Sequence, residues 1–173
     1  KAHKVNKKII IPMNGFSTWK GDRKDTIDDY YLKGKLHDMI KVFNYLAGTD
    51  NQVDPYYRPQ SEIKTANALQ RFVLDFDYIS VKLYKKGSAH ITFLNQDLLD
   101  KFNIFGSQRK NWLPPSYGKV AYDDMTKEEQ QVIDDFQGRE KYEEVLARKD
   151  YFLVDTTTLL QTGGTDHLLN GAA

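Results

Sequence analysis

"YISVKLYKKGSAHITFLNQDLLDKF", residues 78–102, alternates apolar and polar side chains, turns, alternates again, and then changes period. Ile79, Val81 and Leu83 share one face of a first strand, and Ala89, Ile91 and Phe93 share one face of a second. Matching apolar partners across the pair sets Leu83 opposite Ile91 and Val81 opposite Phe93, which predicts Lys86, Gly87 and Ser88 as a three-residue loop. A two-residue loop would set Lys82 against Ile91 and bury neither face cleanly. The expected register gathers Lys82, Tyr84, His90 and Thr92 on the opposite face. Asn95 is then expected to cap a short helix carrying Leu98, Leu99 and Phe102. A hairpin of this kind, followed directly by a helix, makes the fold α+β, with a small antiparallel sheet packed against short helices.

The chain upstream supplies more of the same. "KKIIIPM", residues 7–13, reads as a short buried strand with Pro12 marking its end or an edge. Residues 14–25 read as a loop with Gly15 and Gly21 at turns. Leu36, Met39, Ile40, Phe43, Leu46 and Ala47 fall at helical spacing, with Gly48 as the stop and a start between Thr26 and Leu36. "TDNQVDPYYRPQS" reads as a connector ended by Pro59 and a Ser61 cap, after which Ile63, Ala66, Leu69 and Val73 suggest a second helix.

Downstream, "QRKNWLPPSYGKV", residues 108–120, sets cations, a tryptophan and two prolines side by side. It is either a loop that grips a ligand or a stiff connector whose aromatics are packed away. In "MTKEEQQVIDDFQG", Thr126 and Glu129 form a capping box, Val132, Ile133 and Phe136 an apolar stripe, and Gly138 a stop. Tyr142, Val145 and Leu146 mark one more short helix, and "YFLV" at 151 is expected as a final strand. Four to five short helices and the sheet make a single α+β domain over residues 1–155, with 156–173 a loosely ordered tail.

Composition narrows the chemistry. A chain of 173 residues is long enough for a sizeable core, and a net charge of +1 leaves any electrostatic binding to a local patch. There are no cysteines, which excludes disulfides and thiolate metal sites. His3, His37, His90 and His167 show no ligand spacing. No apolar run approaches the ~20 residues of a membrane span, and no signal peptide pattern opens the chain, so a cytoplasmic location is expected. Lys1 in place of methionine suggests a piece of a longer protein. Eleven tyrosines, nine phenylalanines and two tryptophans make aromatics abundant; tyrosine serves in cores and in recognition.

Catalytic motifs are absent: no G-x-S-x-G, no G-x-x-x-x-G-K-[ST] and no H-E-x-x-H. "QTGGTD" has glycines but neither a strand before it nor a helix after it, and reads as flexible tail. Adjacent acids such as Asp28–Asp29, Asp123–Asp124 and Asp134–Asp135 point in different directions on a helix and suit helix starts better than acid–base work. "PPSY" matches the P-P-x-Y ligand pattern. It also resembles the D/N-P-P-Y/F motif of amino-methyltransferases, but Leu113 stands where an Asp or Asn must accept a hydrogen bond from the target amine. Three stretches combine cations with aromatics, the combination that neutralises phosphates and stacks on exposed bases. They are Lys82, Tyr84, Lys85, Lys86 and His90 on the hairpin; Arg109, Lys110 and Trp112; and Trp19, Lys20, Arg23 and Lys24.

"YKKGSAHITFLNQDLLDKFN", followed by "KNWLPPSYG", resembles a domain of uncharacterised function found C-terminal in some DNA adenine-N6 methyltransferases of phages, plasmids and conjugative elements. The shared pattern is a Y-K-N/K-G-x-x-H-x-x-F hairpin and a short helix, met here by Tyr84, Lys85, Gly87, His90, Phe93, Leu99 and Asn103. Lys86 stands where many relatives have Asn. "HDMIKVFNYLAG" resembles the preceding helix of that family, and the resemblance extends over about residues 8–151. It implies a domain attached to a methyltransferase and carrying no catalytic residue of its own. S-adenosylmethionine would then belong to a separate catalytic domain of the same parent chain.

Together these readings lead to an accessory, DNA-engaging domain. Lys82, Lys85 and Lys86 are expected to meet phosphates. Arg109, Lys110 and Trp112 are expected to reach the backbone or a base on a loop held by Pro114 and Pro115, with Tyr84 and His90 on the exposed hairpin face. Two other classes stay open: a protein interaction module docking through the aromatic and proline loop, and a small standalone enzyme using His90 with an acid brought close by folding.

Overall fold

A computed structural model of the chain describes residues 3–17, 25–49 and 57–154. The stretch 78–102 forms the expected hairpin, β3 (Ile79–Tyr84) and β4 (Ser88–Phe93), followed by helix α3 (Gln96–Arg109). β1 (Lys8–Pro12) joins β4, and β2 (Val73–Asp75) joins β3, giving an antiparallel sheet in the order β1-β4-β3-β2. The other helices are α1 (Asp29–Ala47), α2 (Tyr57–Ala68), α4 (Lys127–Phe136), α5 (Arg139–Ala147) and α6 (Lys149–Phe152). One small antiparallel sheet with six helices among the described residues is an α+β fold, one helix more than the four to five expected. None of these helices is long and apolar enough to cross a membrane.

The hairpin register differs from expectation by one residue on each strand. Val81 faces Ile91, Leu83 faces Ala89 and Ile79 faces Phe93, so the loop is Lys85, Lys86 and Gly87. Gly87 has φ 85°, the left-handed position that closes a three-residue hairpin loop, and Ser88 at that position would be strained. Pairing large with large put Ile91 against Leu83; the loop's need for glycine as its last residue outweighs that match. Both registers share the same parity, so Lys82, Tyr84, His90 and Thr92 still share a face.

The inner sheet face, with Leu74, Ile79, Val81, Leu83, Ala89, Ile91 and Phe93 all buried, packs with α1, α2 and the first half of α3. α1 inserts Leu32, Leu36, Ile40, Phe43 and Leu46; Asp28 caps it by accepting from Tyr30 N at 2.9 Å, and Gly48 ends it. Asn95 caps α3 as expected, accepting from Leu98 N at 2.9 Å. Two asparagine amides tie looser segments to this core. Asn103 accepts from Val5 N at 2.7 Å and donates to Val5 O at 3.0 Å. Asn67 does the same for Ile27, at 2.8 and 2.9 Å.

Several expected boundaries move. β1 is an edge strand, as Pro12 suggested, but it is not buried: Ile10 is 64% exposed while Ile9 and Ile11 face inward. α2 begins at Tyr57, which places Pro59 in its first turn, where a missing N–H costs nothing, rather than at the end of a connector. It stops at Ala68 because Gln70 turns left-handed at φ 52°; Leu69 is 66% exposed and Val73 belongs to β2, not to the helix. "YFLV" is no strand: Tyr151 and Phe152 close α6, with Phe152 fully buried. A two-residue apolar pair carries no period that separates strand from helix.

A second apolar cluster gathers Ile104, Leu113, Tyr117, Met125, Ile133, Phe136, Tyr142, Val145 and Phe152. α3 serves both clusters, turning Leu98 and Leu99 into the first and Ile104 into the second. α4 has the expected capping box, with Glu129 N donating to Thr126 Oγ1 and Thr126 N donating to Glu129 Oε2. Charged contacts also run from the later helices to α3: Lys141–Asp100 at 3.0 Å and Arg148–Asp97 at 2.9 Å. The residues read as a loose tail, 156–173, lie outside the described residues, as does "QTGGTD".

Candidate functional site

The outer face of the sheet is built by strand alternation. Directly opposed residues of antiparallel strands point the same way, so Ile10 on β1, His90 on β4 and Lys82 on β3 form one row across the sheet. Lys8 and Thr92 lie beside that row on one side, and Pro12, Ser88 and Tyr84 on the other. Each of these side chains is exposed or half-exposed, whereas their inward neighbours Val81, Leu83, Ala89 and Ile91 are buried.

Tyr84 and His90 meet on the two inner strands toward the hairpin end of this face, with ring centroids 4.4 Å apart and planes tilted by 42°. Two ammonium groups hover over the tyrosine ring: Lys82 Nζ at 5.5 Å and Lys86 Nζ at 5.9 Å from its centroid. Partial burial, then Lys8, Lys86 and Lys82 in turn, hold His90 below the usual histidine range. These surroundings favour the neutral imidazole, an aromatic ring with one donor and one acceptor nitrogen. Among the described residues, the charges that act on it are lysines.

Not all of the expected hairpin contacts gather here. Lys85 turns away from Lys82 and Lys86, pairing with Asp25 at 3.0 Å and lying over Phe72 at 5.7 Å. Lys8 and Ile10 join the face although sequence reasoning did not place them there. The available signal was Pro12, which marked an edge strand and hence a strand with one open side. Its pairing partner depends on tertiary contacts.

Arg109, Lys110 and Trp112 form a separate group. Arg109 lies in the last turn of α3, longer than the short helix expected, with its guanidinium 5.6 Å from the Phe105 ring centroid. Lys110 is the residue that ends the helix. Trp112 is 40% exposed and meets His3 edge-on at 5.1 Å. His3 lies five residues before Lys8, whereas Tyr84 stands beside Pro12 at the far end of β1. The two groups thus sit toward opposite ends of the N-terminal strand.

The rest of "QRKNWLPPSYGKV" is anchored at Leu113, Tyr117 and Gly118, while Asn111, Pro115 and Lys119 stay exposed. Leu113 and Tyr117 are buried in the second cluster. Tyr117 OH accepts from Gln137 Nε2 at 2.9 Å, and burial pushes its phenol above the usual tyrosine range. Tyr142 OH accepts from Gly118 N at 3.1 Å and donates to Val120 O at 2.7 Å. Gly118 has φ 76°, and a Cβ there would come within 2.5 Å of Leu153 Cδ1. This is a stiff connector stapled to the core, with Trp112 on its rim. A P-P-x-Y ligand needs its tyrosine free, so the burial of Tyr117 overturns that match.

The third cation and aromatic stretch, residues 19–24, lies outside the described residues. Among the described residues, no three potential metal-ligating side chains come together. The pocket between α1, the start of α2 and β3, lined by Ile40, Phe43, Arg58 and Tyr78, is too small for anything much larger than water.

A family model described as a domain of unknown function, DUF4942, matches residues 1–112 of this chain. The match starts earlier and ends sooner than the 8–151 that the resemblance implied, and it stops one residue before Leu113 enters the second cluster. No curated protein and no solved structure matches the chain.

Proposed function

The chain belongs to the DUF4942 family, a domain of unknown function, and we propose that it is an accessory, DNA-engaging domain of an adenine-N6 DNA methyltransferase. It contributes no catalytic residue of its own; the S-adenosylmethionine chemistry belongs to a separate catalytic domain of the parent protein. The observation that carries this reading is the convergence of Lys8, Lys82 and Lys86 around the Tyr84–His90 pair on an open sheet face. Lysines neutralise phosphates and release their counterions, while rings held among them offer stacking surface. A chain of net charge +1 has no other means of attracting DNA than such a local grouping. Arg109, Lys110 and Trp112 make a secondary contact region, and Lys85, held by Asp25, is a structural lysine.

The test is fluorescence anisotropy with labelled oligonucleotides across a salt series. Binding is expected to weaken linearly in log affinity against log salt. Changing Lys8, Lys82 and Lys86 to Ala should lower that slope by about two to three, since each phosphate contact contributes about 0.7–0.9. The Arg109, Lys110 and Trp112 triple alanine variant should lose less. A folded lysine variant that binds DNA as tightly as the parent would sink the assignment.

A second reading is favoured by Ile10, 64% exposed in the same row as His90, and by Trp112 at the loop rim. An exposed apolar side chain on the edge strand of an open face suits a protein-docking module. Such a partner would stay bound in high salt, where phosphate contacts fail.

A further inference from the structure

We infer that the outer sheet face takes an unpaired stretch of nucleic acid, stacking a base on the Tyr84–His90 pair, rather than a duplex. The inference rests on the DNA-engaging reading and adds the strand form.

The shape of the face carries it. Tyr84 and His90 stand on β3 and β4, the two inner strands of a four-stranded sheet, with their rings 4.4 Å apart. Each points outward from the sheet, as strand side chains do, so the pair stands on a broad four-stranded face. A duplex hides its base faces within its own stack and offers only edges, at the bottom of grooves that a helix or a two-stranded ribbon must enter. A four-stranded face is too broad to enter a groove as a helix or a two-stranded ribbon does, so rings standing on it do not reach paired bases. An unpaired base, in contrast, has an open π-face, and stacking of this kind tolerates any sequence.

Charge supports the same occupant. Lys8 and Lys82 flank His90 on its two sides, and Lys86 rises from the hairpin loop beside Tyr84. Their ammonium groups lie within reach of phosphates on either side of a stacked base. Lys82 and Lys86 cover Tyr84 through flexible stems, so an incoming base displaces them outward toward its own backbone. Asp75, the acid on the outer face of the described strands, lies at the β2 edge, where it accepts from Ser80 Oγ at 2.6 Å and meets Arg71 at 3.6 Å. The favourable path for a phosphate chain therefore runs over β1, β4 and β3. Ile10, beside His90, extends the apolar floor of that path.

The experiment compares the full chain with its Tyr84→Leu, Tyr84→Phe and His90→Ala variants, using a short single strand carrying 2-aminopurine and the matching duplex. The parent should bind the single strand more tightly and quench its 2-aminopurine. Tyr84→Leu and His90→Ala should weaken single-strand binding by roughly 5- to 100-fold and reduce the quench, weaken duplex binding less, and leave the salt slope, set by the lysines, in place. Tyr84→Phe, which keeps the ring, should behave as the parent. Circular dichroism checks that each variant is folded, and if Tyr84→Leu is not, His90→Ala decides alone. Equal or tighter duplex binding, or folded Tyr84→Leu and His90→Ala that bind as the parent does, would overturn the single-strand inference while leaving a DNA-engaging domain. Absence of binding to both forms at low salt would overturn both.

Discussion

His90 shows how position sets the chemistry of a single side chain. On sequence grounds the same histidine served two readings, a ring on a binding face and one half of an acid–base couple. The fold surrounds it with Lys8, Lys82 and Lys86 and with the Tyr84 ring, and it favours the neutral imidazole. Because protonation is harder in the folded chain than in the unfolded one, this residue's contribution to stability is fully present above the ordinary midpoint of 6.5 and is lost as pH falls below it through the lower midpoint of the folded chain. A nuclear magnetic resonance titration should place His90 below 6.5 in the parent. Lys82→Ala should move the midpoint upward, because one of the opposing charges is gone. Added salt should move it the same way by screening the remaining lysines. A midpoint that ignores both changes would mean that the lysines do not act on the ring. Asn103 is the opposite case: the resemblance drew attention to it, and its amide is spent on Val5, holding in place the segment that leads into β1.

At the scale of elements, what could be read from sequence follows how local the cause is. The caps at Asn95 and Thr126 each need only a few neighbouring residues, and both form as expected. The shared face of Lys82, Tyr84, His90 and Thr92 was legible because strand parity survives a shift of register by one residue on each strand. The register itself was not, since apolar matching ignores the turn that closes the hairpin. Nor were β2 and the partner of β1, which depend on contacts far along the chain. The candidate site was legible to the same degree: its β3–β4 half came from alternation, while Lys8 and Ile10 arrived with β1. The direction of Lys85 was not legible because alternation stops at the loop. Gly87 is where the element scale is most exposed to substitution. Its φ is 85°, a Cβ would come within 2.5 Å of Asn14 Oδ1, and its carbonyl accepts from Met13 N at 2.9 Å. Gly87→Ala should cost about 1–3 kcal/mol of stability, from left-handed strain plus displacement of Asn14. Urea unfolding would measure this, and an unchanged midpoint would show that the loop closes without a left-handed residue at position 87.

The whole molecule poses a question of coupling. The family match ends at residue 112, and the second apolar cluster begins at Leu113 apart from Ile104, which α3 lends to it. The boundary of the match therefore divides the two clusters, yet α3 is a continuous helix serving both. Its flank is held by the later helices, through Lys141 on Asp100, Arg148 on Asp97, and Lys101 lying 4.8 Å from the Tyr151 ring centroid. Lys101 also donates to Leu46 O at 2.6 Å, near the end of α1, so one side chain touches both halves. Exposed ion pairs such as Arg148–Asp97 add little by themselves; the coupling lies in the shared burial of α3. Ile133, fully buried on α4 and distant from the sheet, is the residue with which to test it. Ile133→Ala should cost about 2–5 kcal/mol through the cavity it leaves. If the chain folds as one cooperative unit, the variant should unfold in one transition, with tryptophan fluorescence and far-ultraviolet circular dichroism shifting together. Two separated transitions, with the sheet outlasting the later helices, would instead make residues 113–152 an appendage that the family domain does not need in order to fold.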